Sequence, residues 1–121
     1  MSESVHDSSV FDPEALASLI GDDPELVQEL VGLFSDEAPR LLDAIRKAVA
    51  ASDAHAVAHA AHTLKGSAAN LGAPRASEAA LVLEMIGRSG DLGPAGVACE
   101  RLEAELARLQ DALAAHLAGA R

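Results

Sequence analysis

Cysteine, tryptophan, tyrosine, basic residues and long apolar runs are scarce or missing in this 121-residue chain, and each shortage excludes something. Cys99 is the only cysteine, so an internal disulfide is impossible and a cysteine-based zinc site is excluded. There is no Trp or Tyr, and Phe11 and Phe34 are the only phenylalanines. Such a chain offers little for base stacking or sugar binding. Nine Lys and Arg stand against nineteen Asp and Glu, a net charge of −10. That balance repels nucleic acid phosphates and anionic membrane surfaces, so neither is an expected partner. No segment approaches the roughly eighteen consecutive apolar residues of a membrane span. The opening Met1-Ser2-Glu3-Ser4-Val5-His6-Asp7 lacks the basic-then-apolar order of a secretory signal. The expected location is therefore cytoplasmic. No P-loop-like glycine-rich sequence is present, which argues against an ATP site and against autokinase activity.

What is present is helix-forming sequence. Half of the residues are hydrophobic, and the length suits one domain with a modest core. Residues 1–10 are polar and serine-rich and read as a flexible tail, leaving residues 11–121 as the folded domain. Asp12-Pro13 is an N-cap followed by proline at the first helical position, opening a short helix that Gly21 ends. Asp23-Pro24 repeats the signal. Leu26, Val27, Leu30, Leu33, Phe34, Ala38, Leu41, Ile45, Ala48 and Val49 then mark one amphipathic face, with a bend expected near Asp36 because of Pro39. Ser52 or Asp53 caps a third helix that closes near Gly72. Pro74 opens a fourth with the stripe Ala76, Ala79, Ala80, Leu83 and Ile86, and Gly87–Gly93 reads as a loop. A last helix begins around Pro94 and turns Leu102, Leu106, Leu109, Leu113 and Leu117 inward. Those leucines cover little more than two heptads, too few for a coiled-coil seam, so they belong to the chain's own core and a monomer is expected. No alternating strand pattern occurs. The expected fold is all-α: an antiparallel four-helix bundle with an additional short N-terminal helix.

The third helix carries the chemistry, in the run His62-Thr63-Leu64-Lys65-Gly66-Ser67-Ala68-Ala69-Asn70-Leu71-Gly72. At about 100° per residue, Val57, Ala61, Leu64, Ala68 and Leu71 form one buried stripe. His55, His59, His62, Gly66 and Ala69 fall on the opposite, solvent side. Lys65 lies between the faces, where its stem packs and its ammonium reaches towards His62. Imidazole is a good nucleophile near neutral pH. The His62 ring thus has a cation, Lys65, beside it and, at Gly66, a missing side chain where another protein could come close. A glycine inside a helix costs about 1 kcal/mol relative to alanine, which makes Gly66 informative.

This run closely resembles the signature of the histidine-containing phosphotransfer (HPt) domain. Asp23-Pro24-Glu25-Leu26-Val27, Phe34 in mid-helix, and Leu83-Glu84 followed by Gly90-Asp91 extend the likeness from about Phe11 to Leu117. The link Gly93-Pro94-Ala95-Gly96 looks less helical than is usual there. The resemblance implies that His62 is the phosphoacceptor, at Nε2, with Lys65 and Gly66 assisting. It implies phosphoryl transfer from an aspartate of one receiver domain to an aspartate of another, in a hybrid sensor kinase and a response regulator. Mg²⁺ would come with the receiver, so the chain needs no cofactor of its own. The docking surface is expected around His62, with His55, His59, Ser67 and Ala69 and the neighbouring face of the residue 24–51 helix.

Other readings compete. Ser67 either bonds back to the carbonyl of residue 63 or hydrogen-bonds near the site. His55, His59 and His62 have metal-ligand spacing along one face. Yet the glutamate of the zinc-protease motif is missing and no carboxylate on this helix supplies a fourth ligand, so no metal is expected. A sensor-kinase dimerisation segment also presents a helical histidine, but there an acidic residue normally follows it, where this chain has Thr63. The histidine domain of a chemotaxis-type kinase is closer in fold, but such a chain would continue into further domains. The alternative from another class is a phosphorylation-independent interaction module, in which His62 merely contributes contact.

Overall fold

The computed structural model describes residues 7–21 and 23–119. Five helices account for nearly all of them: α1 (Pro13–Ile20), α2 (Pro24–Ala50), α3 (Ala54–Leu71), α4 (Pro74–Ser89) and α5 (Ala95–Gly119). No strand occurs among the described residues. None of these helices is long and apolar enough to cross a membrane. Packing runs α2 on α3, α3 on α4, α4 on α5 and α5 back on α2, with α1 laid against α3. Paired ties give the antiparallel order. Lys65 and His62 of α3 meet Ser77 and Glu84 of α4, Arg75 and Glu78 of α4 meet Glu105 and Arg101 of α5, and Ser67 of α3 bonds to Glu37 of α2. Between α2 and α5, Ser35 bonds to Gln110 and Arg46 to Glu103. The fold is the all-α, four-helix bundle with an extra N-terminal helix that the periodicities indicate.

The helix starts follow the sequence signals. The Asp12 carboxylate accepts from the amides of Glu14 and Ala15, and that of Asp23 from Glu25. Of the two candidates for α3, Asp53 is the cap, accepting from the Ala56 amide. Gly72 closes α3 at φ +83°, and its carbonyl accepts from the Asp12 amide at 2.8 Å. A Cβ at Gly72 would stand 2.7 Å from the Asp12 carbonyl oxygen, so this junction admits glycine alone without rearrangement.

α2 runs unbroken through Pro39, which lies on the exposed side where water can satisfy the carbonyl its missing N–H leaves free. Two details differ from the sequence reading. Leu33 is 66% exposed: the buried line of α2 is Val27, Val31, Phe34, Ala38, Leu42 and Ile45, and Leu33 stands 100° off it. Gly87 is not a loop residue, because α4 continues to Ser89 and buries Gly87 against α3. The last helix starts where the sequence reading puts it, beside Pro94, with α5 helical from Ala95. Of the tail expected over residues 1–10, Met1–His6 lie outside the described residues. Asp7–Val10 form a turn whose Ser9 carbonyl accepts from the Arg75 amide at 2.9 Å. Phe11 behind it is fully buried, its ring edge-on to His116.

Candidate functional site

α3 holds no Asp or Glu from Ala54 to Leu71, in a chain with nineteen acidic residues. Its apolar stripe is buried as expected, Val57, Ala61, Leu64 and Ala68 completely. That places His62 on the outer face, its side chain 60% exposed. The imidazole is nevertheless held. Its Nδ1 lies 3.0 Å from Oε2 of Glu84, a residue of α4 that is 3% exposed. Antiparallel packing brings residue 84 level with residue 62, and Gly87, one turn along, lets the two backbones approach closely enough for contact.

Glu84 gathers three groups. Lys65 Nζ lies 2.7 Å from its Oε1, and Arg88 places Nη2 and Nε at 2.6 and 3.1 Å from Oε2, the oxygen that also faces His62. Oε1 takes no aligned hydrogen bond, so Lys65 meets it as an ion pair. The Lys65 ammonium first, then Arg88 and His62, outweigh the burial that opposes ionisation and hold the Glu84 carboxyl at about 2. An ionised carboxylate can only accept. The hydrogen between it and His62 is therefore assigned to Nδ1, and the neutral ring keeps its lone pair at Nε2. Among the described residues Nε2 has no hydrogen-bond partner.

The other candidate residues divide around this centre. The Lys65 ammonium is anchored on Oε1 of Glu84, so one carboxylate holds both it and the His62 ring. Gly66 faces open space, with nothing within 4 Å of where a Cβ would stand. His55 and His59 are exposed and, with Ala58, His62 and Arg88, line a shallow pocket of about 260 Å³. Ala69 is exposed further along the same face. Ser67 lies on the α2 side, where its hydroxyl donates to Glu37 at 3.0 Å and not to the carbonyl of residue 63. Among the described residues no three His, Cys, Asp or Glu are placed to hold a metal ion. A larger apolar cavity of about 530 Å³, bounded by Leu16, Ala17, Val27 and Leu117 among others, contains none of these side chains. Glu84 and Arg88 are the site residues to which sequence reasoning gave no role. The signal was there: Glu84 sits four residues after Ala80 and three before Gly87, which makes it a carboxylate on a buried stripe.

The Hpt domain model matches residues 29–112, most of the chain and all of this cluster. The chain belongs to the Hpt domain family. Its function class is accordingly histidine phosphotransfer in phosphorelays, where Hpt domains work with receiver domains. Histidine-containing phosphotransfer protein B (HptB) from Pseudomonas aeruginosa PAO1 has a similar crystal structure, with a TM-score of 0.73 and 25% identity over 100% of both chains. No curated protein sequence matches this Hpt domain significantly.

Proposed function

We propose that this Hpt domain carries a phosphoryl group on Nε2 of His62, taking it from an aspartate of one receiver domain and giving it to an aspartate of another. The observation that supports this most is the ring's setting: Nδ1 engaged by an ionised, buried carboxylate, and Nε2 without a hydrogen-bond partner among the described residues on an exposed side chain one turn from Gly66. In the accepting step Nε2 attacks the phosphorus of the aspartyl phosphate. The N–P bond forms as the P–O bond to the aspartate breaks, and the aspartate leaves as carboxylate. The donating step reverses this. Lys65, one turn from His62, exchanges part of its ion pair with Glu84 for the phosphoryl oxygens. The receivers belong to a hybrid sensor kinase and a response regulator and bring the Mg²⁺. His55, His59 and Ala69, with Ser67 at the α2 border, form the surface on which they dock. The protein acts as a cytoplasmic monomer.

The test is incubation with a phosphorylated receiver and Mg²⁺, followed by intact-mass analysis at neutral pH. One acid-labile phosphoryl group is expected, absent from a folded His62→Gln variant. No adduct from several active receivers, or an undiminished adduct in His62→Gln, overturns the assignment. In the first case an interaction module on the same face becomes the better account.

A further inference from the structure

His62 and Arg88 share one oxygen of Glu84, and this bears on how phospho-His62 releases its load. The titratable and charged groups around the ring are Glu84 and Arg88 from α4, and Lys65, His59 and His55 from α3. Glu37 of α2 is occupied by Ser67. Among the described residues α1 and α5 contribute no hydrogen bond or ion pair to this group. Among the described residues Glu84 is thus the one anion in contact with the imidazole, at the nitrogen away from the transferred group.

When a neutral ring with hydrogen on Nδ1 takes a phosphoryl group at Nε2, the product is a phosphoimidazolium. Donation then breaks the Nε2–P bond, returns its electron pair to the ring, and forms a P–O bond to a receiver carboxylate. With the proton on Nδ1 the departing group is neutral imidazole, and no proton has to move. Without that proton the departing group is imidazolate, a far stronger base and a poorer leaving group. Lys65 and Arg88, both positive, disfavour a charged ring, but each already faces an anion: Glu84 before loading, and Glu84 with the phosphoryl oxygens after it. The direct contact of Glu84 with Nδ1 favours the charged ring.

We propose that Glu84 is a positioning residue that holds the Nδ1 proton through the donor half of the cycle, extending to higher pH the range over which phospho-His62 gives up its phosphoryl group. This rests on the assignment of His62 above. The full chain is to be loaded with phosphoramidate, a small donor that needs no receiver. Nδ1 protonation is then followed by ¹⁵N and ³¹P NMR as pH is raised, folded and in urea. The folded phosphoprotein is expected to keep its Nδ1 proton about one pH unit higher than the unfolded chain. Glu84→Gln, whose amide oxygen still accepts but carries no charge, is expected to lose most of that difference. Its donation to a receiver should fall with rising pH ahead of the parent's, about fivefold behind it one unit above the variant's own midpoint. Coincident titrations of folded and unfolded parent overturn the proposal, and so does a Glu84→Gln profile that superimposes on the parent. If Glu84→Gln does not fold, the comparison on the parent chain decides. A chain that phosphoramidate loads on His62, but that exchanges phosphoryl with no receiver, overturns the phosphorelay reading and the donor role with it, while its NMR titration still reads the Glu84 contact.

Discussion

Gly87 of α4 lies so close to Ala58 of α3 that a Cβ on it would stand 2.6 Å from the Ala58 amide nitrogen and 2.8 Å from the Ala54 carbonyl oxygen. The neighbours are backbone, which cannot swing aside, so a methyl group there has to separate the helices. The consequence reaches the site, because Glu84 and His62 are one turn further along the same seam. Gly87→Ala is expected to destabilise the fold by about 1–3 kcal/mol, the usual cost of overpacking, outweighing a gain of up to about 1 kcal/mol in helix propensity. It should also weaken the Glu84 contact to Nδ1. Urea unfolding reads the first effect and the ¹⁵N shifts of His62 the second. A variant as stable as the parent, with unchanged shifts, would show that the seam absorbs the methyl.

Gly66 is the opposite case. Nothing in the fold needs its missing side chain, since a Cβ there meets no atom within 4 Å. Gly66→Ala should therefore stabilise the helix, by up to about 1 kcal/mol. The glycine's use lies outside the molecule, in the approach of a receiver to Nε2. Gly66→Glu is expected to keep the fold and to accept phosphoryl from phosphoramidate, yet to exchange it with a receiver at least about tenfold more slowly, through bulk and like charge against the receiver's carboxylates. Undiminished exchange in Gly66→Glu would remove the steric argument.

These two glycines also mark how far the sequence could be read. Periodicity with Asp-Pro starts locates the helices, because capping and amphipathic spacing are local properties carried by adjacent residues. The exposure of His62 follows from the same spacing. Gly87 misled, since a glycine near the end of an apolar stripe reads as a stop, and its use as a close-contact point depends on which helix lies opposite. Leu33 misled for a related reason: hydrophobicity counts a leucine as inward, while the packing of α2 between α3 and α5 leaves it outside. Glu84 shows the limit most clearly. Its place on a buried stripe is legible, but that it meets His62, Lys65 and Arg88 together depends on the register of α4 against α3, which no spacing within one helix contains. The family resemblance covered part of this gap by fixing the role expected of His62, but it assigned none to Glu84.

The acid limb of stability should report the Glu84 cluster. Its carboxyl is held at about 2 in the folded protein, against an ordinary 4.5. A carboxyl lowered by folding contributes stability that is complete above its unfolded value and is lost as pH falls through the folded one. The window is therefore about pH 4.5 down to about 2, and urea midpoints should fall steadily across it. Lys65 is the largest cause of the lowered value, ahead of Arg88. Among the described residues it is also the only group on Oε1, while Oε2 keeps His62 when Arg88 is removed. Lys65→Gln is thus expected to raise the Glu84 pKa more than Arg88→Gln does, and so to narrow the window over which this carboxyl loses stability and flatten the acid limb more. Glu84→Gln should be less stable than the parent near neutrality, because it leaves Lys65 and Arg88 without their anion, and should converge with it towards pH 2. Some acid sensitivity remains in every variant, because folding also lowers the carboxyls of Glu105, held by Arg75, and of Asp7, held by Ser9. An equal response to losing Lys65 or Arg88 would show that the cluster does not distinguish its two oxygens. An unchanged acid limb in Glu84→Gln would show that the carboxylate is not the linked group.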